Sequence, residues 1–210
     1  MTSPIVFIGD SITDAGRRND PARPLGGGYV QLVAEHFESV ADERAVINRG
    51  ISGDRAVDLE ARWVEDALRL KPSLLTIYVG INDVWRRYDS ADATTVENFE
   101  ASYRRLLEST VASGVERIIL LEPFVTPVND DQLAWHEDLD PKRSVIARLA
   151  LEFAAGFIPL HTILTEAAAT HGAPAIADDG VHPTAFGHQL IAEAWMAEES
   201  RAATKSSRTG

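Results

Sequence analysis

The stretch Pro4-Ile5-Val6-Phe7-Ile8-Gly9-Asp10-Ser11-Ile12-Thr13-Asp14 decides the fold. An unbroken apolar run, Ile5 to Ile8, stops abruptly at Gly9-Asp10-Ser11. A run this short, rich in β-branched and aromatic residues, predicts a strand buried on both faces, as in parallel sheets. That strand delivers Ser11 to the mouth of its sheet. A lone serine there is most simply a helix N-cap. Three later stretches argue for more: Asn48-Arg49-Gly50-Ile51-Ser52-Gly53-Asp54, Gly80-Ile81-Asn82-Asp83 and Asp179-Gly180-Val181-His182-Pro183. Between them they hold a general base, a carboxylate to orient it and donors for an oxyanion.

Outward from this stretch, strands and helices alternate. Further strands are expected at 45–48, 73–79, 117–121 and 157–159, each followed by a turn signal. Helical spacing of apolar residues marks 29–37, 56–70 (stopped by Pro72), 96–112, a helix ending at Phe153, 162–170 and 184–198. A loop is expected from Phe124 to about Leu139. The alternation predicts an α/β protein: a three-layer, flavodoxin-like sandwich around a five-stranded parallel sheet. There is no internal repeat or linker, so one domain is expected over residues 1–200, with a small polar tail at 201–210 expected to be disordered.

Composition narrows the function. The 210 residues carry 20 Lys+Arg against 32 Asp+Glu, a net charge of −12 with no basic run. Nucleic acid and anionic membrane are therefore not expected partners. No cysteine is present, which excludes a thiol nucleophile, a thiolate metal site and any disulfide. With no signal-peptide pattern and no apolar stretch of membrane-spanning length, the expected location is cytoplasmic. The glycines at 26–28 match neither a P-loop nor a dinucleotide fingerprint.

In open α/β sheets, sites form beyond the carboxyl ends of the strands. Ser11, Gly53 and Asn82 each follow a predicted strand, and Asp179 and His182 lie in the loop entering the last helix. A serine hydroxyl needs a base to take its proton, and His182 is the candidate. Asp179, three residues earlier, is placed to hold the other imidazole nitrogen. The N–H groups of Ser11 and Gly53 and the Asn82 amide are candidate oxyanion donors. Each residue alone is more simply a cap, a turn residue or a core histidine; the five together are not.

These blocks resemble the SGNH, or GDSL-type, serine hydrolases, in order and over nearly the whole chain. The resemblance implies Ser11 as nucleophile, Asp179 and His182 as its partners, and an oxyanion hole from Ser11, Gly53 and Asn82. The Gly-x-Ser-x-Gly elbow of ordinary α/β-hydrolases is absent. A narrower likeness, in Gly9 to Arg17, Gly28-Tyr29-Val30, Asn48 to Gly53 and Gly80-Ile81-Asn82-Asp83-Val84-Trp85-Arg86, is to bacterial acetylxylan esterases. Asp178 departs from it, standing where a Trp is expected. The likeness implies a short-chain esterase that removes O-acetyl groups from sugars such as xylo-oligosaccharides, without metal or cofactor. Asp10, Arg17, Tyr29, Trp85 and Arg86 are the candidate substrate contacts. The substrate is then a small acyl ester or acetylated sugar; homo-oligomerisation is left open.

Three rivals follow from the same residues. A lysophospholipase or thioesterase would share the site but need an apolar acyl groove, which the Asp-, Arg- and Gly-rich loops disfavour. A non-catalytic binding module would keep the sheet and lose the chemistry, yet every catalytic part is present. His136, Glu137, Asp138 and Asp140 raise a metal-dependent hydrolase, but Asp140 stands where a His-Glu-x-x-His motif needs its second His.

Overall fold

The computed structural model describes residues 3–206, with side chains through Arg201. In chain order its elements are β1 (Ile5–Gly9), α1 (Ser11–Asp14), α2 (Tyr29–Ser39), β2 (Val46–Gly50), α3 (Ala56–Asp66), β3 (Leu74–Tyr78), α4 (Ile81–Asp89) and α5 (Val96–Ala112). There follow β4 (Arg117–Leu121), α6 (Asp130–Leu133), α7 (His136–Glu152), β5 (Gly156–Ile158), α8 (Leu160–His171), α9 (Ala173–Ile176) and α10 (Ala185–Ser206). All strand pairs are parallel, in the order β2-β1-β3-β4-β5. This is the flavodoxin-like order, and its topological switch lies between β1 and β3.

The strands are apolar on both faces because both faces are covered. Ile5 and Phe7 of β1 belong to one core with Tyr29, Val33 and Phe37 of α2 and Ile191 and Trp195 of α10. Val6 and Ile8 point into the other, with Leu59 and Trp63 of α3, Leu106 of α5 and Ile146 of α7. This period-two alternation gives the three layers. Fully burying each such side chain is worth roughly 1.5–3 kcal/mol, so the two cores, not the loops, hold the framework. A polar tie crosses the first: Trp195 Nε1 donates to Thr76 Oγ1 at 2.9 Å.

Register sets the site. Gly9 is level with Gly50 on one side and Tyr78 on the other, so β1, β2 and β3 release their loops at one height. Glycine is required at Gly9 and Gly50, where a Cβ would collide with the Tyr78 carbonyl and the Asp14 backbone.

Several boundaries differ from the sequence expectation. The loop expected over 124–139 contains α6 and the first turn of α7. The helical period of α7 is disguised because its buried stripe, Leu139, Ile146 and Leu149, includes Lys142, which is fully buried and paired with Asp138 at 2.6 Å. The helix expected over 56–70 stops at Asp66 and continues as a 3₁₀ turn, Leu68–Leu70. The last helix runs to Ser206 instead of ending at 198, so the first part of the expected tail is helical; residues 207–210 lie outside the described residues. No described helix is long and apolar enough to cross a membrane.

Candidate active site

The turn from β1 into α1 is fixed by its own residues. Asp10 is the N-cap, its Oδ1 accepting from Ile12 N–H at 3.0 Å. Ser11 thereby occupies the first helical position, where the N–H has no intrahelical acceptor. The 177–183 loop is shaped the same way. Asp179 Oδ1 accepts from the N–H groups of Val181 (2.9 Å) and His182 (2.7 Å), and Gly180 turns with φ +83°. Thr126 N–H, beyond β4, docks this loop through the Gly180 carbonyl at 2.9 Å.

Residues 171 positions apart meet as a result: Ser11 Oγ lies 2.9 Å from His182 Nε2. His182 Nδ1 is 2.6 Å from Asp179 Oδ2. The carboxylate accepts a hydrogen bond from Nδ1–H, which leaves the Nε2 lone pair facing the serine hydroxyl. Partial burial pushes the Asp179 carboxyl up, but hydrogen bonds from the His182 ring and from the His182 and Val181 N–H groups outweigh it and hold it below its ordinary value. Asp179 is therefore charged at neutral pH.

Gly53 and Asn82 are joined to this group by a chain of bonds. Asp14 Oδ2 accepts from Ser52 N–H (3.2 Å) and Ser52 Oγ (2.9 Å), fastening the β2 loop to α1. Gly53 adopts φ +91°, a conformation natural to glycine, and a Cβ there would meet nothing within 4 Å. Asn82 Nδ2 donates to the Asp54 carbonyl at 3.0 Å, which orients the amide and leaves its second hydrogen without an acceptor among the described residues. Asp83 Oδ2 accepts from Ala56 N–H at 3.0 Å and pins the start of α3. Arg62 reaches the carbonyls of Arg49 (2.8 Å) and Gly9 (3.2 Å), tying two strand ends together.

Two expected substrate contacts are corrected. Asp10 and Tyr29 are both 0% exposed and cannot meet a substrate from outside. The Tyr29 hydroxyl is bonded to Thr13 Oγ1 at 3.0 Å, so the ring props α1 from beneath. His188 lies against it: burial, then the neighbouring His182, pushes the His188 pKa down to about 4, and its neutral Nδ1 accepts from Tyr29 N–H at 3.2 Å. Arg17 gives Nε and Nη2 to the Gly50 carbonyl (2.9 and 2.6 Å), tying the loop after α1 to β2. Arg86 is paired with Asp89. Trp85 does reach the site, its ring centroid 5.8 Å from that of His182. The His136 region holds paired charges: Asp138 with Lys142, Asp140 with Arg143, and Glu137 with Arg87.

Sequence reasoning missed Gln132, whose Nε2 donates to the Asp179 carbonyl at 2.6 Å. Nothing marked it, since it fell in an expected loop. It also missed Asp14, which reads as an ordinary first-turn acid.

Comparison with known proteins places the fold in a family. Residues 7–190 match the GDSL-like lipase/acylhydrolase family. An acetylxylan esterase from Geobacillus stearothermophilus is 37% identical over 208 residues, 92% of each chain. The crystal structure of an acetylxylan esterase from the same organism, 37% identical, superposes with a TM-score of 0.84, covering 93% of both chains. A GDSL-like lipase structure from Parabacteroides merdae gives 0.85 at 34% identity, covering 92% of this chain and 94% of that one. The chain belongs to the GDSL-like lipase/acylhydrolase family and is a carboxylic ester hydrolase.

Proposed function

We propose that this chain is a serine esterase that removes short acyl groups, acetyl above all, from carbohydrate hydroxyls such as those of xylo-oligosaccharides. The observation that carries the chemistry is the hydrogen-bonded line Ser11 Oγ–His182 Nε2 (2.9 Å) and His182 Nδ1–Asp179 Oδ2 (2.6 Å). The substrate class is supported by the likeness to the Geobacillus acetylxylan esterase, a variant of which is described as an acetyl-xylooligosaccharide esterase (37% identity, TM-score 0.84, 93% of each chain).

In this reading Ser11 Oγ attacks the ester carbonyl while His182 Nε2 takes its proton. Asp179 stabilises the imidazolium that forms. The carbonyl oxygen becomes an anion held by Ser11 N–H, Gly53 N–H and the free amide hydrogen of Asn82. Collapse of the tetrahedral intermediate breaks the bond to the sugar oxygen, which receives the proton from His182. Water, deprotonated by the same His182 nitrogen, then attacks acyl-Ser11; the acyl–Oγ bond breaks, His182 returns the proton to Ser11 Oγ, and the acid is released.

The test is acetate release from acetylated xylo-oligosaccharides by purified protein without added metal. Release at a rate well above background supports the substrate assignment. Rapid p-nitrophenyl acetate hydrolysis with no acetate from the sugar would keep the esterase and discard the sugar.

A further inference from the structure

A cavity of about 490 Å³ has Trp85 and Gln132, neighbours of His182 and Asp179, among its walls, and the proposed chemistry leaves it without a role. Its walls include Trp85, Tyr88 and Trp135, with Asp130, Asp131 and Gln132. Two of these residues touch the site directly. Trp85 lies against His182, and Gln132 donates to the carbonyl of Asp179. The rings form a row leading away from the imidazole: His182 to Trp85 at 5.8 Å, Trp85 to Trp135 at 5.4 Å, Trp135 to Tyr88 at 5.5 Å.

The lining chooses among ligands. Aromatic faces receive the C–H faces of a sugar ring or any other flat apolar body. Asp130 and Asp131 are exposed at the rim and have no cationic partner among the described residues, so their oxygens are open to hydroxyl donors. Unpaired carboxylates also repel phosphate or carboxylate ligands, which excludes an anionic lipid headgroup. A neutral polyol with alternating C–H and O–H surfaces satisfies both requirements. An oligosaccharide whose acetylated unit is at Ser11 has further units to place, and this cavity shares two of its walls with the reacting groups.

We infer that the Trp85–Tyr88–Trp135 cavity is the saccharide subsite that seats the xylo-oligosaccharide units next to the one being deacetylated. The inference rests on the carbohydrate reading of the substrate proposed above. It explains why α4 and α6, elements outside the framework of the sheet, border the site at all.

Two measurements test it on the full chain. In the first, kcat/KM for acetylated xylotetraose is divided by that for p-nitrophenyl acetate in wild type, Tyr88→Leu and the double variant Asp130→Asn/Asp131→Asn. Losing one or two hydrogen bonds or a ring face should lower this ratio about tenfold. The double variant, at exposed positions, keeps the test alive should Tyr88→Leu fail to fold. In the second, unacetylated xylotetraose is titrated into Ser11→Ala while the four Trp indole resonances are followed by NMR. Trp85 and Trp135, which line the cavity, should shift, with Trp63 and Trp195, which lie in the cores away from it, as internal controls. An unchanged ratio together with unmoved Trp85 and Trp135 overturns the subsite. If those indoles shift but wild type frees no acetate from the sugar, the subsite stands and the substrate assignment fails. If acetate is released while neither ratio nor indoles respond, the subsite alone fails.

Discussion

Asp14 Oδ2 receives both the N–H and the hydroxyl of Ser52, so the helix that starts with Ser11 grips the loop that carries Gly53. The proposed attacking oxygen and a proposed backbone donor for the oxyanion are thus set by one buried carboxylate that touches neither. Asp14→Ala should leave Ser11 beside His182 but loosen Gly53, lowering kcat by about 10-fold to 100-fold, the range for 1–3 kcal/mol of lost positioning. Steady-state kinetics checks this; a change confined to KM would assign Asp14 to substrate binding instead.

Asn82 follows β3 with its amide held by the Asp54 carbonyl. Loss of one pre-aimed oxyanion donor costs about 10²–10³ in kcat elsewhere. Asn82→Ala is expected to show a loss of that size, with the melting temperature lowered only by the lost hydrogen bond to the Asp54 carbonyl. Full activity would remove Asn82 from the proposed oxyanion hole.

Two buried carboxyls give stability a pH dependence. Burial, opposed by Ile12 N–H and reinforced by the charges of Asp83 and Asp54, pushes Asp10 from 3.8 up to about 7. Burial does the same to Asp83, against Ala56 N–H and the attraction of Lys142 and Arg55. Asp10 Oδ2 and Asp83 Oδ1 have no hydrogen-bond partner among the described residues. Between about pH 4 and pH 7 the folded chain keeps protons that the unfolded chain has released, so these groups make stability fall as pH rises. The neutral histidines His161 and His188, both depressed to about 4 chiefly by burial, act in the opposite direction. The comparison with Asp83→Asn isolates the carboxyl. Its melting temperature minus that of wild type should climb across this window, and a flat difference would show Asp83 to be ionised throughout.

Much of this arrangement was legible before any coordinates. The Ile5–Ile8 run, and Ser11, Gly53 and Asn82 after successive strands, could be placed because buried parallel strands are unbroken apolar stretches with abrupt ends. Tyr29 and Asp10 misled because residues next to a motif are read as accessible, whereas here the second layer of the site is buried and polar. Apart from Trp85, the walls of the cavity were illegible for a related reason. Helix α4 buries Asn82 and Asp83, and α7 buries Lys142, so polar residues stand where helical periodicity is expected to show apolar ones.

Acyl-chain length separates a deacetylase from a lipase. Each methylene that finds a fitting pocket is worth about 1–3 kcal/mol, so a long-chain enzyme improves as the chain grows. The proposed deacetylase houses only a small acyl group at Ser11, the aromatic cavity being assigned to the sugar side. Across p-nitrophenyl esters, kcat/KM should fall steadily from acetate to octanoate. A climb would move the function to lipid or thioester substrates.

The central claim is that Ser11 is the nucleophile, activated by His182. It is tested most directly by kcat for purified, folded Ser11→Ala on p-nitrophenyl acetate. Breaking a unit of this kind should lower kcat by about 10⁴–10⁶-fold. Turnover near that of wild type would contradict the account.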